Sequence, residues 1–302
     1  MRVLVTGGAG FIGSHLCEAL IADGHQVFVL DDLSNGAVEN LPKGVTLFQR
    51  STTDDLVPVF QKAMPEVVFH FAAQIDVRKS LENPRMDAQN NIIGALNLLD
   101  ACKQFKCKRF IFASSAAVYG NTERVPTPEQ TLGTPDSPYG IAKLTIEQYL
   151  AVYHKVHGLS TCVLRFSNVY GPRQAMKGEG GVIAVFIKNL LAEQQCTING
   201  DGNQTRDFIY VKDVVDACLV ALHKKLEGTY NVATQTQTTI NDTYALIAKQ
   251  LNFPWKAQHG LPIQGEIRYS SLQTSAISPY WKPRYGLERG LQETVDWFKH
   301  RK

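Results

Sequence analysis

Short runs of apolar and β-branched residues alternate along this chain with longer segments in which apolar residues recur every three or four positions. The short runs predict strands, at 3–6, 27–30, 46–49, 67–72, 109–114 and 161–166. The longer segments predict helices, of which the clearest lie at 12–23, roughly 85–105 and 138–157. Because such alternation is typical of βαβ units, the sequence predicts an α/β fold with a doubly wound parallel sheet of the Rossmann type.

Beyond residue 166 the pattern changes to loops that are rich in Gly, Arg and Asn. A predicted helix at 211–225 and a predicted strand at 228–233 interrupt these loops. Loops of this composition suit ligand binding, so we interpret them as a second, smaller lobe that binds substrate. The predicted division gives a sheet-containing first domain of residues 1–165 with about 205–235, and a substrate lobe of about 166–204 with 236–302.

Composition limits the classes of partner. The chain has 302 residues, a hydrophobic fraction of 44% and a formal net charge of +3. So small a charge gives no reason to expect a nucleic-acid surface, and small anions are the expected partners. A predicted strand starts directly after Met1, and no apolar run reaches 18 residues. We therefore expect a cytoplasmic protein without a signal peptide or a membrane span.

Cysteine and histidine spacing predicts no metal site. The six cysteines are scattered, mostly among apolar neighbours, and form no CxxC pair, so we expect buried thiols. The eight histidines show no HxxxH or HExxH spacing of the kind that holds zinc.

A glycine-rich loop, TGGAGFIGSH at 6–15, follows the first predicted strand and opens the first helix. Gly7 allows a tight turn, Gly10 lets the backbone approach a pyrophosphate, and Gly13 lets the helix pack on the strand. The free N–H groups at the helix N-terminus then bind the anion. The second strand ends at Asp31, whose carboxylate accepts the ribose hydroxyls of NAD and would repel the extra phosphate of NADP.

A second candidate site is the stretch YGIAK at 139–143, which places Tyr139 and Lys143 one turn apart on a helix. Ser115 lies where the fifth predicted strand ends, in SSAAVYG at 114–120. A phenol with a pKa near 10 needs a neighbouring cation to act as a base near pH 7, and Lys143 is such a cation. These three residues therefore predict proton transfer beside a nicotinamide.

Together these stretches resemble the extended short-chain dehydrogenase/reductase family, and within it the nucleotide-sugar 4-epimerases of the UDP-glucose 4-epimerase type. The resemblance covers nearly the whole chain. It rests on TGGAGFIGSHL, DDLSNG at 31–36, HFAAQ at 70–74, NNIIG at 90–94, SSAAVYG, YGIAK, RFSNVYGPR at 165–173 and RDFIYVKDVVDA at 206–217. DDLSNG is the most particular of these, because it is similar to the second-strand loop of UDP-glucose 4-epimerases.

The resemblance implies a set of site residues. Ser115, Tyr139 and Lys143 would be catalytic. The cofactor would be NAD, bound by Gly7, Gly10, Phe11, Ile12, Gly13, Asp31, Asn35, Ala72, Asn90, Tyr139 and Lys143. The substrate would be a UDP-sugar, bound by Ser115, Asn168, Arg206, Arg268 and Ser270. Two departures stand out: Ser51 replaces an aspartate that contacts adenine in the family, and LPIQGE at 261–266 lacks a family arginine that Arg268 would replace.

The two residues after Ser115 bear on the reaction. Related 4,6-dehydratases carry an Asp-Glu pair there, and related decarboxylases keep the Glu, whereas this chain has Ala116 and Ala117. The resemblance therefore implies an isomerase of galactose metabolism. The C4 hydride passes to NAD, the 4-keto sugar turns over, and the hydride returns to the other face. Because only a loosely held sugar can turn, binding energy should reside in the nucleotide half.

The sugar, the oligomeric state and two competing functions remain open at this point. Ser270 falls where galactose-specific relatives carry a bulky tyrosine, which predicts room for N-acetylated sugars, although a shift of one residue would place Tyr269 there instead. The helices at 85–105 and 138–157 match those that pair in dimeric relatives, so a homodimer is expected. Arg173 leaves open a 4-epimerase of another sugar, such as UDP-glucuronate, or a nucleotide-sugar reductase. A catalytically silent NAD or sugar-nucleotide sensor is the alternative from another class.

Overall fold

The structure is a computed structural model of the 302-residue chain, and it describes residues 1–175, 181–254, 256–263 and 266–300. The strands are β1 (Arg2–Thr6), β2 (Gln26–Asp31), β3 (Thr46–Gln49), β4 (Val67–His70), β5 (Arg109–Ser115), β6 (Ser160–Phe166), β7 (Asn168–Tyr170), β8 (Thr197–Asn199), β9 (Thr205–Arg206), β10 (Phe208–Tyr210), β11 (Gly228–Val232), β12 (Thr238–Thr239) and β13 (Gln258–Gly260). Gln264 and Gly265 of the LPIQGE stretch lie outside the described residues.

The helices follow the same chain order. They are α1 (Phe11–Ala22), α2 (Val57–Ala63), α3 (Val77–Glu82), α4 (Pro84–Ala88), α5 (Gly94–Gln104), α6 (Pro138–His157), α7 (Val182–Leu191), α8 (Val211–His223), α9 (Ile240–Gln250) and α10 (Leu287–His300). Short 3₁₀ turns lie at Val38–Asn40 and Ala116–Val118, and a π turn at Gln89–Ile93 joins α4 to α5.

Seven of the described strands form one sheet in the order β11-β6-β5-β4-β1-β2-β3. Pairing is parallel between β1 and both its neighbours, between β2 and β3, and between β4 and β5. Thr6 is in register with His70, and His70 with Phe112, so the residues that follow these strands meet at one edge of the sheet. The predicted α/β fold with a Rossmann-type sheet is confirmed.

The regularly spaced apolar residues of the strands and helices pack into a hydrophobic core. The buried strand residues Leu4, Phe28 and Phe110 belong to one cluster with Phe60 of α2 and Leu98 of α5. Each such side chain contributes about 1.5–3 kcal/mol when it is removed from water. Cys102 and Cys107 belong to this cluster, and all six cysteines are buried thiols, as their apolar neighbours predicted.

Two predicted elements differ from the structure. The strand predicted at 67–72 ends at His70, because the backbone N–H of Ala72 donates to the side-chain Oγ1 of Thr6 and not to a backbone carbonyl of the neighbouring strand β1. The helix predicted at 85–105 is interrupted by the π turn at Gln89–Ile93. Apolar periodicity does not distinguish such a turn from regular helix.

The chain divides into two compact units. The first comprises residues 1–120, 132–165 and 215–230, and the second comprises 121–131, 166–214 and 231–302. The division predicted from the sequence differs from these units mainly at 121–131 and 205–214, and its assignment of functions to domains stays a prediction. No helix in the part of the chain that the structure describes is long and apolar enough to cross a membrane.

Candidate active site

The glycine loop between β1 and α1 makes a tight turn at Gly7 and packs closely at Gly13. Gly7 has φ of +69°, and a Cβ there would lie 2.7 Å from the backbone nitrogen of Ala72, so both the conformation and the space exclude a side chain. A Cβ on Gly13 would collide with the carbonyl oxygen of Gly7. Helix α1 therefore begins directly against the end of β1, as the spacing of the glycines predicted.

The N-terminus of α1 offers a site for an anion. Gly10 is the N-cap residue of α1. Because glycine has no side chain, it accepts no side-chain hydrogen bond from the first backbone N–H groups of the helix. A Cβ on Gly10 would meet only the carbonyl oxygen of Gly7, at 3.1 Å, which leaves one side of the loop open to a ligand. Phe11 and Ile12 are the first two residues of the helix and are half-buried. Open backbone N–H groups at a helix N-terminus fit the diphosphate of a dinucleotide.

Asp31 ends β2 at the same edge of the sheet. Its side chain is buried, and its two oxygens accept 2.9 Å hydrogen bonds from the backbone nitrogens of Ala9 and Leu33. Burial raises the pKa of the Asp31 carboxyl above its usual value, although these two bonds favour the charged form. Each oxygen keeps a further lone pair, which suits a pair of ribose hydroxyls.

The remaining residues predicted to bind NAD lie in the same unit. Asn35 is exposed in the loop after β2, and Ala72 directly follows β4. Asn90 is half-buried in the π turn before α5, where its amide nitrogen lies 3.2 Å from the sulfur of Met86. Ser51, which stands in place of the family aspartate, caps the turn after β3 through a 2.8 Å bond between its hydroxyl and that of Thr53.

Ser115 and Tyr139 meet because α6 begins against the end of β5. Ser137 caps α6 by accepting a hydrogen bond from the backbone nitrogen of Gly140. A Cβ on Gly140 would lie 2.5 Å from the carbonyl oxygen of Ala117, so this glycine permits the close approach. Ser115 is hydrogen-bonded to Tyr139, and this bond lowers the pKa of the phenol. Burial outweighs it and raises the pKa of Tyr139 to about 12.

Lys143 lies one turn further along α6 and is buried. Its Nζ donates a 2.7 Å hydrogen bond to the carbonyl oxygen of Ala113 and lies 4.7 Å from the ring centre of Phe112 and 5.8 Å from that of Tyr139. Burial lowers the pKa of Lys143 to about 8, against the opposing attraction of Asp87 and Glu147. The ammonium form therefore predominates at neutral pH.

Asp87 is a buried carboxylate that the sequence did not single out. It lies on α4, which packs against α6, and its Oδ1 accepts 2.9 Å hydrogen bonds from the side chains of Gln74 and Asn91. Its Oδ2 is buried and has no hydrogen-bond partner among the described residues. Burial raises the pKa of Asp87, and the nearby Lys143 lowers it. The signal for this residue is weak, because one Asp in a polar helix start is usually a solvated cap.

A second buried carboxylate, Glu147, supports the end of β5 from α6. Glu147 accepts a 2.5 Å hydrogen bond from the hydroxyl of Ser114 and forms an ion pair with Arg165 of β6. Arg165 also donates a 2.7 Å hydrogen bond to the hydroxyl of Tyr119. This network joins β5, the turn after it, α6 and β6, and so holds the elements that carry Ser115 and Tyr139.

Apart from Ser115, the residues predicted to bind the sugar nucleotide lie in the second unit. Asn168 is exposed at the start of β7, and Ser270 is half-buried. Arg206 of β9 forms a 2.7 Å ion pair with Glu266 and donates to the carbonyl oxygen of Ile267. Arg268 is exposed and forms a 2.9 Å ion pair with Asp201. Because Thr205 N donates to the carbonyl oxygen of Arg268, the structure brings both arginine-bearing segments together.

Asp207, next to Arg206, organises this region and was not predicted. It is fully buried and accepts hydrogen bonds from Thr234, Gln235, Ser271 and Leu272. Burial raises the pKa of Asp207, against the effect of these bonds. The carboxylate therefore fixes the backbone directly after Ser270.

Comparison with known proteins agrees with this geometry. The NAD dependent epimerase/dehydratase family matches residues 3–233. The chain belongs to this family. A putative UDP-glucose 4-epimerase of Methanocaldococcus jannaschii is 41% identical over 99% of this chain and 98% of that protein. Relatives at 30% and 31% identity over 99% of this chain include decarboxylases of UDP-glucuronic acid and of UDP-N-acetyl-glucosaminuronate.

Two solved members of the family show the extent of the structural likeness. A UDP-glucose 4-epimerase of Thermotoga maritima, solved with UDP-glucose, has a TM-score of 0.96 and 41% identity and covers 99% of both chains. A UDP-N-acetylglucosamine 4-epimerase of Methanobrevibacter ruminantium, solved with UDP-N-acetylmuramic acid, has a TM-score of 0.95 and 37% identity and covers 100% of this chain and 99% of that chain.

These comparisons confirm the resemblance, the enzyme class and the cofactor that the sequence predicted. The protein is a UDP-glucose 4-epimerase-like member of the family, of the isomerase class, and its cofactor is NAD. The open glycine loop and the buried Asp31 fit this cofactor, since the first leaves room for a diphosphate and the second keeps lone pairs for a ribose.

Proposed function

We propose that this protein interconverts the C4 epimers of UDP-hexoses: UDP-glucose with UDP-galactose, and UDP-GlcNAc with UDP-GalNAc. One observation supports this most strongly. Tyr139, hydrogen-bonded to Ser115 and next to buried Lys143, lies at the sheet edge that also carries the glycine loop, and Ala116 and Ala117 follow Ser115. The site thus has a proton acceptor and a cation, but no carboxyl group at these two positions.

In this proposal Tyr139 removes the proton of the sugar 4-hydroxyl, and Ser115 hydrogen-bonds the same oxygen. NAD, when bound, would supply the hydride acceptor and donor for C4 and a positive charge. Burial alone would keep Tyr139 protonated, since it raises the pKa to about 12. The ammonium of Lys143 favours the phenolate form that the base requires.

Ala116 and Ala117 limit the reactions that the oxidised sugar can undergo. They occupy the 3₁₀ turn after β5, in which the backbone nitrogen of Ala117 donates to Oγ of Ser115. A methyl side chain neither gives nor takes a proton, so these positions supply no group for water elimination. The 4-keto sugar then has one productive course, which is return of the hydride.

The nucleotide half of the substrate needs anchors, because the sugar must turn between the two hydride transfers. Asn168, Arg206 and Arg268 are the proposed anchors for the diphosphate region. Both arginines already have carboxylate partners, Glu266 and Asp201, with which a phosphate would compete. Guanidinium groups suit this exchange, because they bind carboxylates and phosphates in the same bidentate geometry.

Ser270 is the basis for including N-acetylated sugars. A serine is smaller than a tyrosine by a whole ring, which leaves volume for an acetamido group. Tyr269, the neighbouring residue, is 51% exposed, whereas Ser270 is half-buried. Asp207 holds the backbone after Ser270 through Ser271 and Leu272, which supports a fixed position for this side chain.

We also propose that the protein forms a homodimer through α5 and α6. Four apolar residues of α6 are exposed and recur at helical spacing along one stripe: Ile141, Tyr149, Val152 and Val156. Ile93, in the π turn before α5, is also exposed. The hydroxyl of Tyr153 donates to Asp100 and ties α6 to α5, which makes the two helices one surface. Such a stripe favours burial against a second copy.

The experiment is to incubate purified protein with single UDP-sugars, without added NAD, and to separate the 4-epimers. Product from UDP-glucose and from UDP-GlcNAc is expected if the purified protein retains NAD, because each cycle would regenerate that bound cofactor. Tyr139→Phe should lower kcat by about 10²–10⁴-fold, since it removes the proton acceptor. Tyr280→Phe is the control: Tyr280 is 50% exposed, lies outside the proposed site and the α6 stripe, and should leave kcat unchanged.

Two outcomes would contradict the proposal. Unchanged turnover by Tyr139→Phe would exclude the proposed base. An accumulating product other than a 4-epimer, such as a decarboxylated or dehydrated sugar nucleotide, would assign the protein to another reaction of the same family.

A further inference from the structure

A cluster of metal-ligating side chains lies at the opposite edge of the sheet from the active site. Asp23 and His25 flank Gly24 between α1 and β2, and His223 is the last residue of α8. Nε2 of His223 lies 2.6 Å from Oδ2 of Asp23, and Nε2 of His25 lies 2.9 Å from the same oxygen. We propose that these three side chains form a binding site for a divalent transition-metal cation of the zinc class.

The separations of the ligand atoms fit such an ion. Zinc holds nitrogen and oxygen ligands at about 2.0–2.2 Å in a tetrahedron, which places any two ligand atoms about 3.3 Å apart. Here the two nitrogen–oxygen separations are 2.9 and 2.6 Å, and all three ligand atoms lie within 4.8 Å of one another. The ligand atoms would have to move by about an ångström to reach tetrahedral spacing. The side chain of His223 is 46% exposed and has room for such a movement. Water would take the fourth position.

His25 shows a donor atom aimed into the cluster. Its side chain is 11% exposed, and its buried Nε2 lies 2.9 Å from Oδ2 of Asp23. The other ring nitrogen, Nδ1, faces away towards the amino group of Met1, at 3.4 Å. The nitrogen that a metal requires is therefore directed at Asp23 and His223.

The backbone around Asp23 is held in place before any ion binds. Asp23 ends α1, and the backbone nitrogens of Asp23, Gly24 and His25 donate to the carbonyl oxygens of Ala19, Ile21 and Leu20. Gly24 has φ of +77°, which closes the turn between the two ligands.

The position of the cluster predicts the effect of the metal. His25 directly precedes β2, at the amino edge of the parallel strands, whereas Tyr139 and the glycine loop lie at the carboxyl edge. The ion would tie the end of α8 to the turn between α1 and β2. We therefore expect metal to stabilise the fold and to leave epimerisation unchanged, so that this inference does not depend on the proposed function.

The test uses the untagged full chain, freed of metal with a chelator. Zn²⁺ titration by calorimetry should show one ion per chain. At Zn²⁺ a hundredfold above the dissociation constant, the ratio of folded to unfolded protein should rise about 100-fold, seen as a higher Tm. Co²⁺ should give the visible absorption of a tetrahedral cobalt site.

Three variants make the test specific. His223→Gln and Asp23→Asn should each weaken Zn²⁺ binding about tenfold or more and abolish the cobalt spectrum. His300→Gln, which alters an exposed histidine at the end of α10, should bind as the wild type does. Equal binding by His223→Gln and wild type, or no zinc-dependent change of Tm, would overturn the proposal. Circular dichroism of the metal-free variants shows whether they fold.

Discussion

Nζ of Lys143 donates a 2.7 Å hydrogen bond to the carbonyl oxygen of Ala113, two residues before Ser115 on β5. The bond connects the helix that carries Tyr139 to the strand that carries Ser115. It also fixes a buried cation whose pKa burial lowers to about 8. The ionisation of Lys143 is thus a measurable property of the site.

This ionisation predicts how kcat depends on pH. Because Lys143 is charged only below about pH 8, kcat for UDP-glucose should fall as pH rises through that value, whereas an unperturbed lysine would titrate near 10.5. Lys143→Met should lower kcat by about 10²–10⁴-fold and remove this fall. Lys155→Met, exposed on the same helix, should retain the wild-type profile. A wild-type kcat that stays constant from pH 7 to about 10 would contradict the role of Lys143.

Asp87→Asn should move the whole pH profile of kcat/KM to lower pH. Asp87 raises the pKa of both Lys143 and Tyr139, so its neutral isostere should let both groups lose their protons at lower pH. Asn keeps an oxygen to accept the hydrogen bonds from Gln74 and Asn91. A loss of kcat at all pH values without any shift of the profile would assign Asp87 a purely structural role. Asp100→Asn, on α5, provides the control.

The ion pair of Glu147 and Arg165 should contribute strongly to stability. Both side chains are buried. Glu147→Gln therefore leaves the buried, charged guanidinium of Arg165 without an anionic partner and should lower the free energy of unfolding by about 3–5 kcal/mol. The double variant with Met at both positions should lose less than this single variant, as urea denaturation would show.

An exposed pair supplies the comparison. Lys108 and Glu66 form a 2.7 Å ion pair, but Lys108 is largely exposed, so Lys108→Met should cost at most about 1 kcal/mol. If Lys108→Met lowered the free energy of unfolding as much as Glu147→Gln does, burial would not be what determines the contribution of an ion pair.

Ser270→Tyr should restrict the substrate range. The added ring would fill the volume proposed for the acetamido group, so turnover of UDP-GlcNAc should disappear while kcat/KM for UDP-glucose persists. Steady-state kinetics with both sugars measures the ratio, and Ser275→Tyr, at an exposed position, is the control. If Ser270→Tyr lowered turnover of UDP-GlcNAc and of UDP-glucose equally, Ser270 would not determine the choice of sugar.

Val152→Glu should convert the dimer to a monomer. Val152 is 53% exposed in the middle of the α6 stripe, and a charge there would have to be buried without a partner in the paired state. Light scattering coupled to size exclusion measures the mass. Met64→Glu, which alters a 52% exposed residue at the end of α2, should leave the mass of the wild type unchanged. A monomeric wild type would contradict the proposed interface.

The sequence predicted the strands and helices well, because apolar periodicity depends only on residues within one segment. The strand predicted at 109–114 appears as Arg109–Ser115, and the helix predicted at 138–157 has those bounds in the structure. Period and burial determine such elements within one segment. The glycine loop was predictable for the same reason, since its positive φ and close contacts permit little else than glycine.

Contacts between distant segments were not predictable in this way. Asp87 and Glu147 resemble ordinary polar helix residues, and only the packing of α4 on α6 and of β6 beside β5 makes them buried charges near Lys143. Asp207 lies in the RDFIYVKDVVDA stretch, but the sequence alone indicated no role for it. Its role follows from hydrogen bonds with residues 234, 235, 271 and 272, which only the fold brings next to it.

The sequence by itself determined the α/β fold, the glycine loop with Asp31, and the YGIAK pair, because periodicity and steric limits act over a few residues. Histidine spacing predicted no metal site, because spacing compares residues within one segment only. Tertiary structure alone decided that His223 lies 2.6 Å from Asp23, 200 positions away in the chain. The physical reason is that the fold, and not the spacing of residues, brings ligand atoms from separate segments to one point.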